Sequence, residues 1–169
     1  MIRAGVFGAG GRVGKLLIED LHNENEISLG AVYVRNELNF SIDPSVLVTN
    51  DMATLLKGSD VIIDFSLPEA TQLLLEQAIE HPTPLVIGTT GMDVHQMNLL
   101  KSASESMPIL YATNMSLGVA LLNKLVHMAA KTLEGFDIEI VEQHHRHKKD
   151  APSGTALTLD HSAAAGRNL

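Results

Sequence analysis

The sequence predicts an α/β fold built on a parallel sheet with helices on both faces. Three observations predict it. Short apolar runs alternate with longer segments of helical spacing. The runs are continuous rather than alternating, as strands buried on both faces are. Gly and Pro fall at the ends of the runs, where turns need them. Taken in order, Ile2–Phe7 reads as a strand, and Gly11–Leu21 as a helix with Val13, Leu16, Leu17 and Leu21 on one face. Ile27–Val34 is an apolar, β-rich strand, and Val61–Phe65 a buried one. Ala70–Ile79 is helical and opens just after Pro68. Leu85–Ile87 is a strand stopped by Gly88, Val94–Ser106 an amphipathic helix, and Ile109–Ala112 a further strand.

The pattern then changes. Leu117–Leu133 reads as a long helix, whereas Phe136–Val141 alternates with period two, as a strand with one wet face does. We therefore expect residues 1–114 to form one domain and residues 115–169 to begin a second, of α+β type. One strand and two helices cannot cover a sheet, so the second domain reads as incomplete, with an apolar face at Ile138 and Ile140 (or Phe136) left to be covered.

Composition narrows the function. The chain has 169 residues, 45% hydrophobic and 19% charged, an ordinary globular balance. Its formal charge of −8 argues against nucleic acid, whose binding depends on neutralising phosphates. No Trp, two Tyr and four Phe leave few platforms for stacked bases. With no cysteine, disulfides and thiolate chemistry are excluded. No apolar run approaches the ~18 residues of a membrane span. The N-terminus enters its first strand without a signal-peptide pattern, so a cytoplasmic protein is expected.

The first strand leads into Gly8-Ala9-Gly10-Gly11-Arg12-Val13-Gly14. Valine at 13 breaks the strict dinucleotide fingerprint, but Gly8-x-x-Gly11-x-x-Gly14 keeps its logic: a tight turn, backbone open to a pyrophosphate, and close helix–strand packing. Such a turn can serve with no ligand. At the first βα junction of a βαβ array it points to a nucleotide and a Rossmann-like domain. Gly88-Thr89-Thr90-Gly91, and Ala112 followed by Thr113-Asn114-Met115, lie past the carboxyl ends of later strands, where ligands of open sheets sit. At the end of the second strand Val34 stands where an acid would mark NADH, and Arg35 follows; arginine can pair a 2′-phosphate. A surface arginine with no role is the other open reading; the cofactor is expected to be NADPH or NADH, with NADPH slightly favoured.

Residues 142–155, Glu-Gln-His-His-Arg-His-Lys-Lys-Asp-Ala-Pro-Ser-Gly-Thr, are anomalous in an acidic chain. From His144 to Lys149 every residue is basic or can become so. Immediately downstream, Pro152-Ser153-Gly154-Thr155 reads as a helix start, whose free amides attract anions. Together they suggest a carboxylate or phosphate cradle with proton-transfer capacity. No metal is expected: neighbouring residues of an extended segment face opposite ways, and the interleaved Arg and Lys repel cations.

These segments, with Asp64-Phe65-Ser66 after its strand, resemble the 4-hydroxy-tetrahydrodipicolinate (dihydrodipicolinate) reductase family in order and spacing from Met1 to the last helix. The resemblance implies NAD(P)H-dependent reduction of a small cyclic, unsaturated dicarboxylate in lysine and diaminopimelate synthesis. It implies His144 as the acid/base residue and Lys148 as the second catalytic residue, with His145, Ser153, Gly154 and Thr155 on the substrate carboxylates. It also implies a homotetramer for the full-length protein and a longer second domain than this chain holds. Two other readings stay open: another Rossmann reductase of an amino-acid-derived substrate, and a nucleotide-binding fragment without turnover.

Overall fold

A computed structural model describes residues 1–36, 38–144, 146 and 151–169. They form two compact units, Met1–Ala112 and Thr113–Leu169. The first holds β1 (Ile2–Phe7), α1 (Arg12–His22), β2 (Ile27–Tyr33), β3 (Leu47–Thr49), α2 (Met52–Lys57), β4 (Val61–Asp64), α3 (Pro68–Glu80), β5 (Leu85–Ile87), α4 (Val94–Ala103) and β6 (Ile109–Tyr111). The six strands make one sheet in the order β3-β2-β1-β4-β5-β6, and every pairing is parallel. This is the doubly wound order, with its topological switch between β1 and β4.

Alternation along the central strands builds two cores. Ala4 and Val6 of β1 join Leu21 and Val32 on one face, while Phe7 joins Ile62, Leu74, Leu75 and Leu85 on the other. Both faces are covered, which is why the strands read as continuous apolar runs. Ile62 and Asp64 of β4 are both fully buried. Asp64 therefore points with Ile62 into the face packed by α3, an unusual place for a carboxylate.

Two elements, β3 and α2, escaped the sequence. β3 has only three residues and pairs with β2 alone. α2 announces itself locally: Asp51 accepts from the Thr54 amide at 2.8 Å as its N-cap, and Leu55 and Leu56 follow as buried anchors.

The second unit holds α5 (Leu117–Thr132) and α6 (Gly154–Gly166), which pack together. The Arg167 guanidinium binds their ends, donating to the carbonyls of Ala130 at 3.0 Å, Leu133 at 2.9 Å and Phe136. The expected strand at Phe136–Val141 is not formed. Its period-two pattern is real, but a strand exists only when paired, and no described residue offers it a ladder. Phe136, Ile138 and Ile140 are exposed, as are Leu121, Leu125 and Met128 of α5. Among the described residues no helix is long and apolar enough to cross a membrane.

Candidate functional site

The first unit supplies a cleft beyond the carboxyl ends of β1, β2 and β4. Gly8 leaves β1 with φ of +89°, a conformation that L side chains rarely adopt. A Cβ there would stand 2.6 Å from the Phe65 carbonyl oxygen. The turn closes through the Gly11 amide on the Gly8 carbonyl at 2.9 Å, and α1 begins at Arg12 with Gly11 as an N-cap that has no side chain to satisfy the first amides. Those amides, and the exposed Arg12 and Val13 beside them, face a cleft of about 760 Å³. Gly10 is open: a Cβ there would meet nothing nearer than Leu38, at 3.9 Å. A helix N-terminus without an internal cap, opening on a glycine turn that is uncrowded at Gly10, fits a pyrophosphate. The volume falls within the range of small-molecule sites.

At the β2 end the cleft is walled by Tyr33, Val34, Arg35 and Asn36, with Leu38 and Asn39 opposite. Arg35 is exposed and also borders a neighbouring hollow of about 680 Å³ lined by Phe40, Ile42 and Val48. The long β2–β3 loop that carries Leu38 to Ile42 went unread in the sequence. It lacks periodicity, and only its length hinted at a binding role. Lys15 of α1 anchors it, donating to the Asn39 side chain at 3.1 Å and lying 5.2 Å from the Phe40 ring centre.

Past the end of β4 the cleft is lined by Phe65, Ser66, Leu67 and Ala70, and the end of β5 packs behind Phe65. Gly88 is pressed against Phe65, so closely that a Cβ would come within 2.2 Å of the ring. Thr89, expected to meet the cofactor, is buried. Its hydroxyl lies 2.9 Å from Thr71 Oγ1 and 3.2 Å from the Ser66 amide, inside the protein. Thr90 is exposed, and the Ala112 amide closes on the Ile87 carbonyl at 3.1 Å. Asp64, which the sequence shows only as part of Asp64-Phe65-Ser66, is the hub: it accepts from the Ser66 amide at 2.9 Å and from Thr71 Oγ1 at 2.5 Å. Burial pushes its carboxyl above the usual range, opposed by these donors.

The second unit brings the candidate acid and the amide end of α6 together. Glu142 accepts from the Ser153 amide at 2.8 Å and from its hydroxyl at 2.5 Å, and its second oxygen stands 3.6 Å from His144 Nδ1. Ser153 is the N-cap of α6, accepting from the Ala156 amide at 3.1 Å. Both donors of Ser153 are thus directed at an internal carboxylate. Gly154 is exposed and uncrowded, with nothing within 4 Å of where a Cβ would stand. Thr155 Oγ1 accepts from the Asn114 side-chain amide at 3.1 Å, while the Asn114 carbonyl accepts from the Ser116 amide at 2.9 Å. Asn114 is held at both ends, which leaves the Thr155 hydroxyl proton to be donated elsewhere. Thr113, Asn114 and Met115 are exposed. His145 and Lys148 lie outside the described residues.

Known proteins share this organisation. Residues 2–115 match the family model described as dihydrodipicolinate reductase, N-terminus, and residues 118–168 match dihydrodipicolinate reductase, C-terminus. The 4-hydroxy-tetrahydrodipicolinate reductase of Sulfurimonas denitrificans is 72% identical over 169 residues, covering all of this chain and 66% of the relative. That of Wolinella succinogenes is 65% identical over 170 residues, with the same coverage. The chain thus spans just under two thirds of the length of these curated relatives. Among solved structures, a dipicolinate-bound dihydrodipicolinate reductase from Paenisporosarcina sp. TG-14 superposes with a TM-score of 0.80 at 27% identity, covering 99% of this chain and 67% of that one. A myo-inositol dehydrogenase from Lactobacillus casei, at 14% identity and a TM-score of 0.58, shares the fold over 76% of this chain and 42% of its own. With family models matching both units and identities above one half along its whole length, the chain belongs to the dihydrodipicolinate reductase family.

Proposed function

We propose that this chain carries the cofactor cleft and the catalytic segment of a 4-hydroxy-tetrahydrodipicolinate reductase, which reduces a cyclic unsaturated dicarboxylate to tetrahydrodipicolinate with NAD(P)H. The observation that carries this reading is the coincidence, in one family member, of an uncapped helix end on an open glycine turn with a histidine held beside a second helix end. Gly8, Ala9, Gly10, Gly11, Arg12 and Val13 present amides and a cation to the pyrophosphate. Gly88, Thr90, Ala112, Thr113, Asn114 and Met115 edge the nicotinamide end, and Thr89 supports it from within. When bound, the reduced nicotinamide supplies the hydride.

Hydride addition to a conjugated imine leaves negative charge, which is quenched by a proton on the neighbouring carbon. His144 supplies that proton, because an imidazole exchanges protons near neutrality. Its Nδ1 faces Glu142, so Nε2 is the nitrogen turned toward substrate. Lys148 stabilises the developing charge. The α6 amides, the Thr155 hydroxyl and His145 hold the carboxylates. Ser153, engaged by Glu142, holds the helix end in place and meets substrate when Glu142 yields it. The longer protein forms a homotetramer.

The test is oxidation of NADPH or NADH that depends on the dicarboxylate and is inhibited competitively by pyridine-2,6-dicarboxylate. Turnover with a different amino-acid-derived substrate, indifferent to that inhibitor, would favour another reductase of the same fold. Cofactor binding without turnover here, with turnover in a longer chain, would mark this piece as a nucleotide-binding fragment.

NADPH is the favoured cofactor. Val34 brings no carboxylate to repel a 2′-phosphate, and the exposed Arg35 beside it can pair one. Arg35→Ala should weaken NADPH about tenfold, the scale of one charge-assisted hydrogen bond, and leave NADH within about twofold. Equal dissociation constants for NADPH before and after the substitution would remove Arg35 from cofactor choice.

A further inference from the structure

A fully buried carboxylate is costly, and this one lies outside the residues that face the cleft. What it joins explains its place. Asp64 is the last residue of β4, in register with Phe7 at the end of β1 and Ile87 at the end of β5. One oxygen takes the amide of Ser66, in the loop that leaves β4; the other takes the hydroxyl of Thr71 on α3. The Thr71 hydroxyl is also directed at Thr89 Oγ1, 2.9 Å away, so its single proton is shared between Asp64 and Thr89. Thr89 Oγ1 in turn accepts from the Ser66 amide at 3.2 Å. The chain of bonds closes on itself and fixes the loops after β4 and β5 against α3.

The first of those loops lines the cleft, and the second backs it through Gly88. Phe65, between Asp64 and Ser66, is wedged between Gly8 and Gly88: its carbonyl lies against Gly8 and its ring against Gly88. Movement of the Phe65–Ser66 loop would therefore be felt at the phosphate turn. The β2 end of the cleft, with Val34, Arg35 and Leu38, has no bond to the network among the described residues.

We propose that Asp64 is a positioning residue for the dinucleotide, holding the pyrophosphate and nicotinamide side of the cleft, through Ser66, Thr71 and Thr89, without touching the ligand. This rests on the reading that the cleft takes NAD(P)H. Asp64→Asn keeps an acceptor for the Ser66 amide but sets an NH₂ group against the Thr71 hydroxyl, which loses its charged acceptor and keeps only Thr89 to donate to. Thr71→Val removes the hydroxyl, and Thr71→Ser retains it.

The experiment titrates the chain and these three variants with NADPH and, separately, with adenosine 2′,5′-bisphosphate, which reports the β2 end alone; thermal unfolding establishes that each variant is folded. Asp64→Asn and Thr71→Val should raise the NADPH dissociation constant about tenfold and change that of the bisphosphate less than about twofold. Thr71→Ser should match the parent. Parallel loss of both ligands would show a general structural defect, and unchanged NADPH binding in folded Asp64→Asn would show no role; either result overturns the proposal. If Asp64→Asn does not fold, the Thr71 pair decides: equal NADPH affinities for Val and Ser overturn it. A parent chain that binds neither ligand fails at the nucleotide reading itself and takes this inference with it.

Discussion

His144→Ala is expected to lower kcat by about 10²–10⁴-fold, the usual contribution of a positioned general acid, while NADPH binding stays within about twofold of the parent. The split follows from where the residue sits. His144 belongs to the second unit, whereas the glycine turn proposed for the pyrophosphate belongs to the first. Its Nδ1 stands 3.6 Å from Glu142, beyond hydrogen-bond distance, and Glu142 keeps both of its bonds to Ser153 when the imidazole is gone. The α6 end should therefore survive the substitution, and with it the affinity proposed for the substrate carboxylates. The loss should appear in kcat and in kcat/KM alike, as for an interaction made only in the transition state. Stopped-flow oxidation of NADPH under saturating substrate measures it. Full kcat in the variant would place the acid elsewhere.

How much of this was legible in the sequence depended on whether a signal was local. β1, β4 and β5 were read to within a residue, because strands buried on both faces declare themselves by uninterrupted apolar runs. β3 and α2 were missed because a three-residue edge strand has no periodicity and a six-residue helix too little. Phe136–Val141 shows the opposite failure: its alternation is that of a strand, but pairing is not a property of the segment. In the site, the glycine turn was legible because Gly8 and Gly14 are demanded by the backbone itself; a Cβ on Gly14 would stand 2.3 Å from the Gly8 carbonyl. Asp64 and Thr71 were not singled out. A carboxylate at the end of an apolar strand reads as a solvent-facing terminus, and only the tertiary fold brings Thr71 and Thr89 to it. The engagement of Ser153 by Glu142, eleven residues away, was invisible for the same reason.

The two glycines of the turn should respond to the same substitution in opposite ways. Gly8→Ala puts a Cβ 2.6 Å from the Phe65 carbonyl, at a φ of +89°. The strain of that backbone region and the clash with main chain, which cannot rotate away as a side chain can, should together cost about 3 kcal/mol or more. Against a typical total of about 5–15 kcal/mol, the melting temperature should fall by about 10 °C or more, at roughly 4 °C per kcal/mol for a unit spanning Met1–Ala112. Cofactor affinity should fall with it, since the Phe65 carbonyl lies in the loop that must yield. Gly10→Ala has no such conflict: its φ lies outside the left-handed region, and its methyl would meet only Leu38, at 3.9 Å. The melting temperature should stay within about 2 °C of the parent. The methyl would nevertheless stand in the cleft that Gly10 lines with Gly11, Arg12 and Val13, where the proposed pyrophosphate approaches the backbone, so NADPH should bind about tenfold more weakly. Calorimetry of both variants separates fold from ligand. A Gly10→Ala protein that is stable and binds NADPH like the parent would mean that the turn serves only to pack α1 against β1, and that the pyrophosphate lies elsewhere.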